Sequence, residues 1–167
     1  MSILDHFVAD AKKYYSKGIL VDTGPLLLLV VGLYDQNQIE QFPRTRLHTI
    51  EHFNRLKLIL AEFRRVVTTP NILTEVCDLL GKFSAPIKED VLLMSLAPCM
   101  DGMEEKYIES KSLGKTACFK TLGLADASIV NNAKDKYLVL TEDLPLWAHL
   151  RKNKIAAVNF TQLCYLQ

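Results

Sequence analysis

Short runs of Ile, Leu and Val alternate along this chain with longer stretches whose apolar residues recur every three or four positions. The first pattern predicts buried strands and the second amphipathic helices. Gly18-Ile-Leu-Val-Asp22 reads as a strand that ends in an acid. Thr23-Gly24-Pro25 follows, and proline is favourable just inside a helix start because its missing N–H is unpaired there in any case. Leu26–Leu33 then continues as an apolar, buried helix. Leu47, Ile50, Phe53, Leu56, Leu60 and Phe63 predict a helix over about 45–64. Val66–Thr68 is a second strand, and Thr69-Pro70 opens a helix that runs through Leu80 and stops at Gly81. Helices are predicted over 87–96, 124–134 and 144–151, the last with Leu144, Trp147 and Leu150 as its core-facing set. Tyr107–Glu109, Tyr137–Thr141 and Ile155–Val158 complete the strands.

Strands separated by helices imply a parallel sheet covered on both faces. The expected fold is therefore α/β: three layers, α/β/α, around a mostly parallel five-stranded sheet. No repeat, low-complexity tract or Pro/Gly-rich linker divides the 167 residues, so one domain over 1–167 is expected, with a helical insertion at about 34–65.

Composition narrows the functional classes. Hydrophobic residues make up 49% and charged residues 23%, ordinary for a globular protein. A formal net charge of +1 argues against a whole-surface nucleic-acid sleeve, so any such contact must come from a local basic patch. Cys77, Cys99, Cys118 and Cys164 are scattered, with no C-x-x-C pair, which fits free thiols in a reducing compartment rather than a disulfide or zinc framework. The N-terminus is polar, and Leu26–Leu33 is too short to span a bilayer. A cytoplasmic protein without a membrane segment is expected.

The chemistry lies in four acids. In an open parallel sheet, ligands bind in the crevice at the carboxyl ends of the strands. Asp22 ends the first strand, Glu75 lies in the second turn of the helix after the second, Asp126 is in the first turn of its helix, and Asp143 follows the fourth strand. All four fall at the same edge. Two carboxylates about 4 Å apart repel by roughly 4 kcal/mol at an effective dielectric near 20. Converging acids must therefore protonate or hold a cation. Hard oxygen donors suit Mg²⁺ or Mn²⁺, and such ions can activate water against a phosphodiester.

Around these acids the chain resembles a known family. Ile-Leu-Val-Asp22-Thr-Gly-Pro-Leu, Thr-Thr-Pro-Asn-Ile-Leu-Thr-Glu75-Val, Leu-Gly-Leu-Ala-Asp126-Ala-Ser-Ile-Val and Val-Leu-Thr-Glu-Asp143-Leu-Pro-Leu resemble, in order, the acidic blocks of PIN-domain nucleases of the small bacterial type. The likeness runs from about Gly18 to Phe160. It implies a doubly wound sheet, one or two divalent cations held by Asp22, Glu75, Asp126 and Asp143, and cleavage of RNA. It also implies a possible antitoxin protein as partner and a possible homodimer. Thr23 and Thr141 take the hydroxyl places beside the first and last acids. Ala125 departs from the pattern where the family often has a threonine; Ser128 is a nearby hydroxyl. Glu142 adjoins Asp143 and competes with it as the fourth ligand.

Other signals bear on the same question. Asn71, just inside the Thr69-Pro70 helix start, can serve a metal-bound water, a phosphate or the local backbone. Lys111, Lys115 and Lys120 lie just upstream of Asp126 and are the better candidates for RNA-backbone contact. Arg44, Arg46, Arg55, Lys57, Arg64 and Arg65 form a second basic set. His48-Thr-Ile-Glu51-His52 matches H-x-x-E-H, an inverted zinc-peptidase motif in which two histidines share one helical face. Its plain reading is the exposed face of an amphipathic helix. The alternatives to a metal-dependent endoribonuclease are thus a catalytically inactive RNA- or protein-binding module of the same fold, and a zinc peptidase using His48, Glu51 and His52. The Asn159-Phe-Thr161 sequon matters only in a secreted protein.

Overall fold

The computed structural model describes residues 3–165. Five parallel strands form one sheet in the order β3-β2-β1-β4-β5. They are β1 (Ile19–Val21), β2 (Val66–Thr68), β3 (Met103–Glu105), β4 (Leu138–Thr141) and β5 (Ala157–Asn159). Both β1 and β4 are buried throughout, as expected where helices cover both faces of a parallel sheet. Ile19, Leu20 and Val21 pair with Leu138, Val139 and Leu140. The chain order reverses between these two central strands, so their carboxyl ends flank the topological switch point.

The helix after β1, α2 (Thr23–Tyr34), is buried from Pro25 to Gly32. A helix apolar all round belongs inside a core. It packs against α3 (Ile50–Ala61) and α4 (Pro70–Leu80). A Cβ at Gly32 would stand 2.4 Å from the Phe53 ring, so this glycine lets α2 and α3 close on each other. Thr69 caps α4 through its hydroxyl, with Pro70 at the helix start.

Four predictions are corrected. The 45–64 helix begins only at Ile50, because Thr49 Oγ1 accepts from His52 N at 3.3 Å and caps it there. Upstream, the chain folds into turns anchored by buried Ile39, Phe42 and Thr45, whose Oγ1 donates to Ile39 O at 2.7 Å. The third strand is Met103–Glu105 rather than 107–109: pairing of its backbone with β2 defines this edge strand, while its side chains carry no apolar pattern. Tyr107 stands exposed beyond it. In α10 (Leu144–Lys152), Leu146 and Leu150 are buried and Trp147 packs against the core, whereas Leu144 is exposed. The helix over 87–96 is interrupted: α5 (Ala85–Val91) passes through a π-turn at Leu92–Leu96 into α6 (Ala97–Asp101).

The polar N-terminus also forms a helix, α1 (Ile3–Tyr14), seated through Phe7, Ala11 and Tyr14 on the core. The remaining helices are α7 (Ser110–Leu113), α8 (Phe119–Leu122), α9 (Leu124–Ala133) and α11 (Phe160–Cys164). The four cysteines are free, Cys118 and Cys164 buried and the other two half-buried. Among the described residues no helix is long and apolar enough to cross a membrane. Asn159 is buried and caps α11 by accepting from Gln162 N at 3.0 Å, so the sequon faces inward.

Candidate active site

Asp22 is held at the end of β1 by three bonds. Its N–H donates to Leu140 O of β4 at 3.0 Å. Its Oδ1 accepts from Thr23 N at 2.7 Å, capping α2, and its Oδ2 accepts from Thr141 Oγ1 at 2.5 Å. Thr141 is fully buried and its hydroxyl also accepts from Asp143 N at 3.0 Å. One hydroxyl thus ties Asp22 to the loop that carries Asp143, across the switch point. Asp143 caps α10, its Oδ1 accepting from Leu146 N at 2.7 Å. Glu75, exposed on α4, accepts from Thr23 Oγ1 at 2.7 Å. Asp126 sits in the first turn of α9, which begins after Gly123 at φ +85°, a backbone angle that disfavours side-chain-bearing residues.

These four acids line one cleft of about 540 Å³, with Glu142 as a fifth carboxylate and Thr23, Gly24, Leu122, Gly123, Leu124 and Ala125 as the rest of the wall. No lysine or arginine is among those lining residues. The electrostatic result is large. Burial pushes the Asp22 carboxyl up to about 6, against the opposing pull of its Thr141 and Thr23 hydrogen bonds, with Glu75 and Asp143 adding repulsion. Burial also pushes Asp126 up to about 7, assisted by the charges of Asp22, Asp143 and Glu75. Both acids sit where a cation is the alternative to a proton. The donor set is all oxygen, which fits Mg²⁺ or Mn²⁺. The carboxylates surround a wide cleft rather than one tight point, and Mg²⁺ typically keeps several waters and takes only one or two carboxylates directly.

Other candidate residues divide. Ser128 lies outside the cleft wall: buried, it donates to Ala125 O at 2.6 Å and meets Thr69 Oγ1 at 3.1 Å, tying α9 to the start of α4. Asn71 lines an adjoining groove with Pro70, Thr74, Tyr107 and Ser110, which shares Glu75, Leu124 and Ala125 with the cleft. Lys111, Lys115 and Lys120 are exposed, but Lys111 is paired with Glu109 at 3.1 Å. Lys120 is closest in chain to the cleft, two residues before Leu122. Arg44 and Arg46 are exposed on the turns before α3. The rest of that basic set is engaged elsewhere. Arg55 donates to the Leu163 and Cys164 carbonyls, Lys57 lies over Phe53, Arg64 over Tyr15, and Arg65 meets Glu104.

The histidine motif is placed differently from its plain reading. His48 precedes the helix and is 9% exposed, so the two histidines do not ride one solvated helical face. Glu51 is exposed, and Glu75, the acid on the next helix, is bonded to Thr23 in the cleft. His48 Nε2 stands 2.9 Å from Glu142 Oε1. That contact, and the cleft-lining places of Gly24 and Gly123, were missed from the sequence; the glycines at the two helix starts were the available signal.

Comparison with known proteins returns no match: no family model, curated sequence or solved structure is significantly similar to this chain.

Proposed function

We propose that the chain is a divalent-metal-dependent endoribonuclease of the PIN type. The observation that carries the reading is the cleft itself: five carboxylates, with no lysine or arginine in its wall, two of them pushed towards neutral pH. Carboxylates that share one cleft repel, and either protons or a bound cation relieve that repulsion. When bound, Mg²⁺ or Mn²⁺ supplies an activated water and charge stabilisation on a phosphodiester.

The protein's part is positioning. Asp22 presents a carboxylate whose orientation is set from both sides by Thr23 N and Thr141 Oγ1. Asp143 spends one oxygen on the α10 cap and lines the cleft from there. Glu75 is oriented by the Thr23 hydroxyl. Asp126 lies in the first turn of α9, where the helix dipole favours its anion and partly offsets the repulsion. A single strand would leave the cleft along the groove of Asn71, Thr74 and Tyr107, where the exposed tyrosine offers a face for base stacking. Lys120 and Lys115 would hold the backbone near α8.

Incubating the protein with labelled single-stranded RNA and Mn²⁺, beside Asp22→Asn, tests this. Cleavage should fall at least about a hundredfold in the variant, the scale for losing one preorganised electrostatic group. Equal cleavage by the two proteins would refute the assignment. The toxin part of the reading rests on the family resemblance alone. Growth inhibition on expression, relieved by co-expressing a neighbouring small reading frame, supports it; growth unaffected by expression removes it.

A further inference from the structure

A second cluster of metal-binding side chains lies behind Glu142. A ring nitrogen of His48, a ring nitrogen of His52 and Cys164 Sγ all lie within 4.8 Å of one another. The three come from separate places: the turn before α3, the first turn of α3, and the end of α11. The rings of His48 and His52 meet edge to face at 5.6 Å, with Phe160 beside His48 and Tyr165 beside His52. Nδ1 of each histidine is buried and makes no hydrogen bond. Leaving such an atom unpaired is unfavourable, and here there are two of them. Glu142 Oε1 is also buried without a hydrogen bond, and it stands 2.9 Å from His48 Nε2.

We propose that His48, His52 and Cys164 form a binding site for a thiophilic transition-metal ion, Zn²⁺ first among them. Two imidazoles and a thiolate are borderline-soft donors that Zn²⁺ accepts in tetrahedral geometry, with a solvent molecule in the fourth position. Mg²⁺ and Mn²⁺, which suit the oxygen-lined cleft, do not select such donors. In a tetrahedral zinc site, bonds of about 2.0–2.3 Å place the donors closer than in this arrangement, and rotation of the two rings and the thiol closes the gap. Glu142 becomes the carboxylate partner of a ligating histidine, an arrangement that fixes ring orientation and raises ligand basicity. Arg55, donating to the Leu163 and Cys164 carbonyls, anchors the C-terminal turn that carries the thiol. Burial pushes the Cys164 thiol up to about 12 against the opposing pull of Arg55, so the ion has to displace the thiol proton, while burial with neighbouring positive charge keeps His52 neutral, with a lone pair available. Binding releases the Cys164 proton to solvent and forms the metal–sulfur bond; no redox change is involved.

The site differs in kind from the zinc-peptidase motif. Glu51 takes no part, and Cys164 supplies the third ligand from the other end of the chain. Because Glu142 also lines the acidic cleft, its carboxylate lies between the two sites.

The test is a Co²⁺ and Zn²⁺ titration of tag-free, chelator-stripped protein, followed by optical spectroscopy and calorimetry. One equivalent of Co²⁺ should produce tetrahedral visible bands and a thiolate-to-cobalt charge-transfer band, reversed by Zn²⁺ and not by excess Mg²⁺. Cys164→Ser should lose the charge-transfer band while keeping its far-UV circular dichroism. His52→Gln should abolish stoichiometric binding, and Glu142→Gln should weaken it by about 10–100-fold. Asp22→Asn/Asp126→Asn should leave the cobalt spectrum intact, which separates this site from the nuclease cleft. Folded wild-type protein that shows no thiolate band at saturating Co²⁺ would overturn the proposal without recourse to any variant. A band undiminished in Cys164→Ser would do the same.

Discussion

The acidic cleft and the His48–His52–Cys164 cluster both adjoin Glu142, and they are assembled in opposite ways. The cleft is made by topology: Asp22 and Asp143 follow the two central strands, and Glu75 and Asp126 stand in early helix turns. Any sequence that forms this sheet brings these positions together. The cluster is made by packing: a residue just before α3, one in its first turn and one at the end of α11 come together where Arg55 of α3 donates to the Leu163 and Cys164 carbonyls. The donors differ as well, all oxygen in one and nitrogen with sulfur in the other. Donor softness then sorts the ions that each accepts. The two proposed sites thus call for different cation chemistries a side chain apart.

That contrast can be broken most sharply by exchanging the losses. Asp22→Asn/Asp126→Asn should abolish Mn²⁺ binding and Mn²⁺-dependent cleavage, yet leave thiolate–cobalt absorption unchanged. Cys164→Ser should do the reverse. Isothermal titration with each ion checks both, and a variant that lost both ions together would join the two sites into one.

The next effect is on stability against pH. Asp22 rises from 3.8 to about 6 and Asp126 from 3.8 to about 7 on folding. Between these limits the folded chain holds protons that the unfolded chain has released. Without divalent cations, the contribution of these two acids to stability is therefore full below about pH 4 and is lost as pH rises through about 6 to 7. The Asp22 shift alone corresponds to a loss of roughly 1–3 kcal/mol. Denaturant midpoints measured from pH 4 to 8 in chelator should show the decline, and Asp126→Asn should flatten it. A profile that rises over this range would remove the claim of crowding.

Thr141→Val removes the hydroxyl shared by Asp22 and Asp143. It should cost about 1–3 kcal/mol, because Asp143 N loses its acceptor. It should also weaken Mn²⁺ by freeing the Asp22 carboxylate while sparing Zn²⁺. Gly24→Ala is the gentlest probe. Its new methyl would stand 2.7 Å from Glu142 Oε2, the far end of a flexible side chain. Global stability should stay within about 0.5 kcal/mol, while Glu142 shifts and both ion affinities change by a few-fold. Chemical denaturation beside the two titrations reads this, and unchanged affinities would show that Glu142 serves neither site.

The sequence made the sheet legible where its strands are central. Ile19–Val21 and Leu138–Thr141 are continuous apolar runs because both faces are covered, and the caps at Thr69 and Asp143 announce the next helices. The edge strand Met103–Glu105 was not legible, since backbone pairing alone defines it. Nor was α1, whose contacts through Phe7, Ala11 and Tyr14 are sparse among charges. At the site, the four acids could be placed by counting from strand ends. The roles of Thr141 and Ser128 could not be separated in this way. One hydroxyl donates to Asp22, while the other joins two helices away from the cleft wall. The histidine motif misled because local spacing assumes a helix that Thr49 delays by its cap. The side chain it meets, Cys164, lies more than a hundred residues away in the chain.

Thermal unfolding at pH 7 with and without saturating Mn²⁺ tests the central claim most directly. At about 100 times its dissociation constant the ion should stabilise the fold by roughly 2.7 kcal/mol. For a chain of this size that is a Tm rise of about 5–10 °C. The rise should shrink at pH 5, where Asp22 and Asp126 carry protons, and vanish in Asp22→Asn/Asp126→Asn. A Tm indifferent to Mn²⁺, or an equal rise in the double variant, would mean that the crowded acids hold no cation.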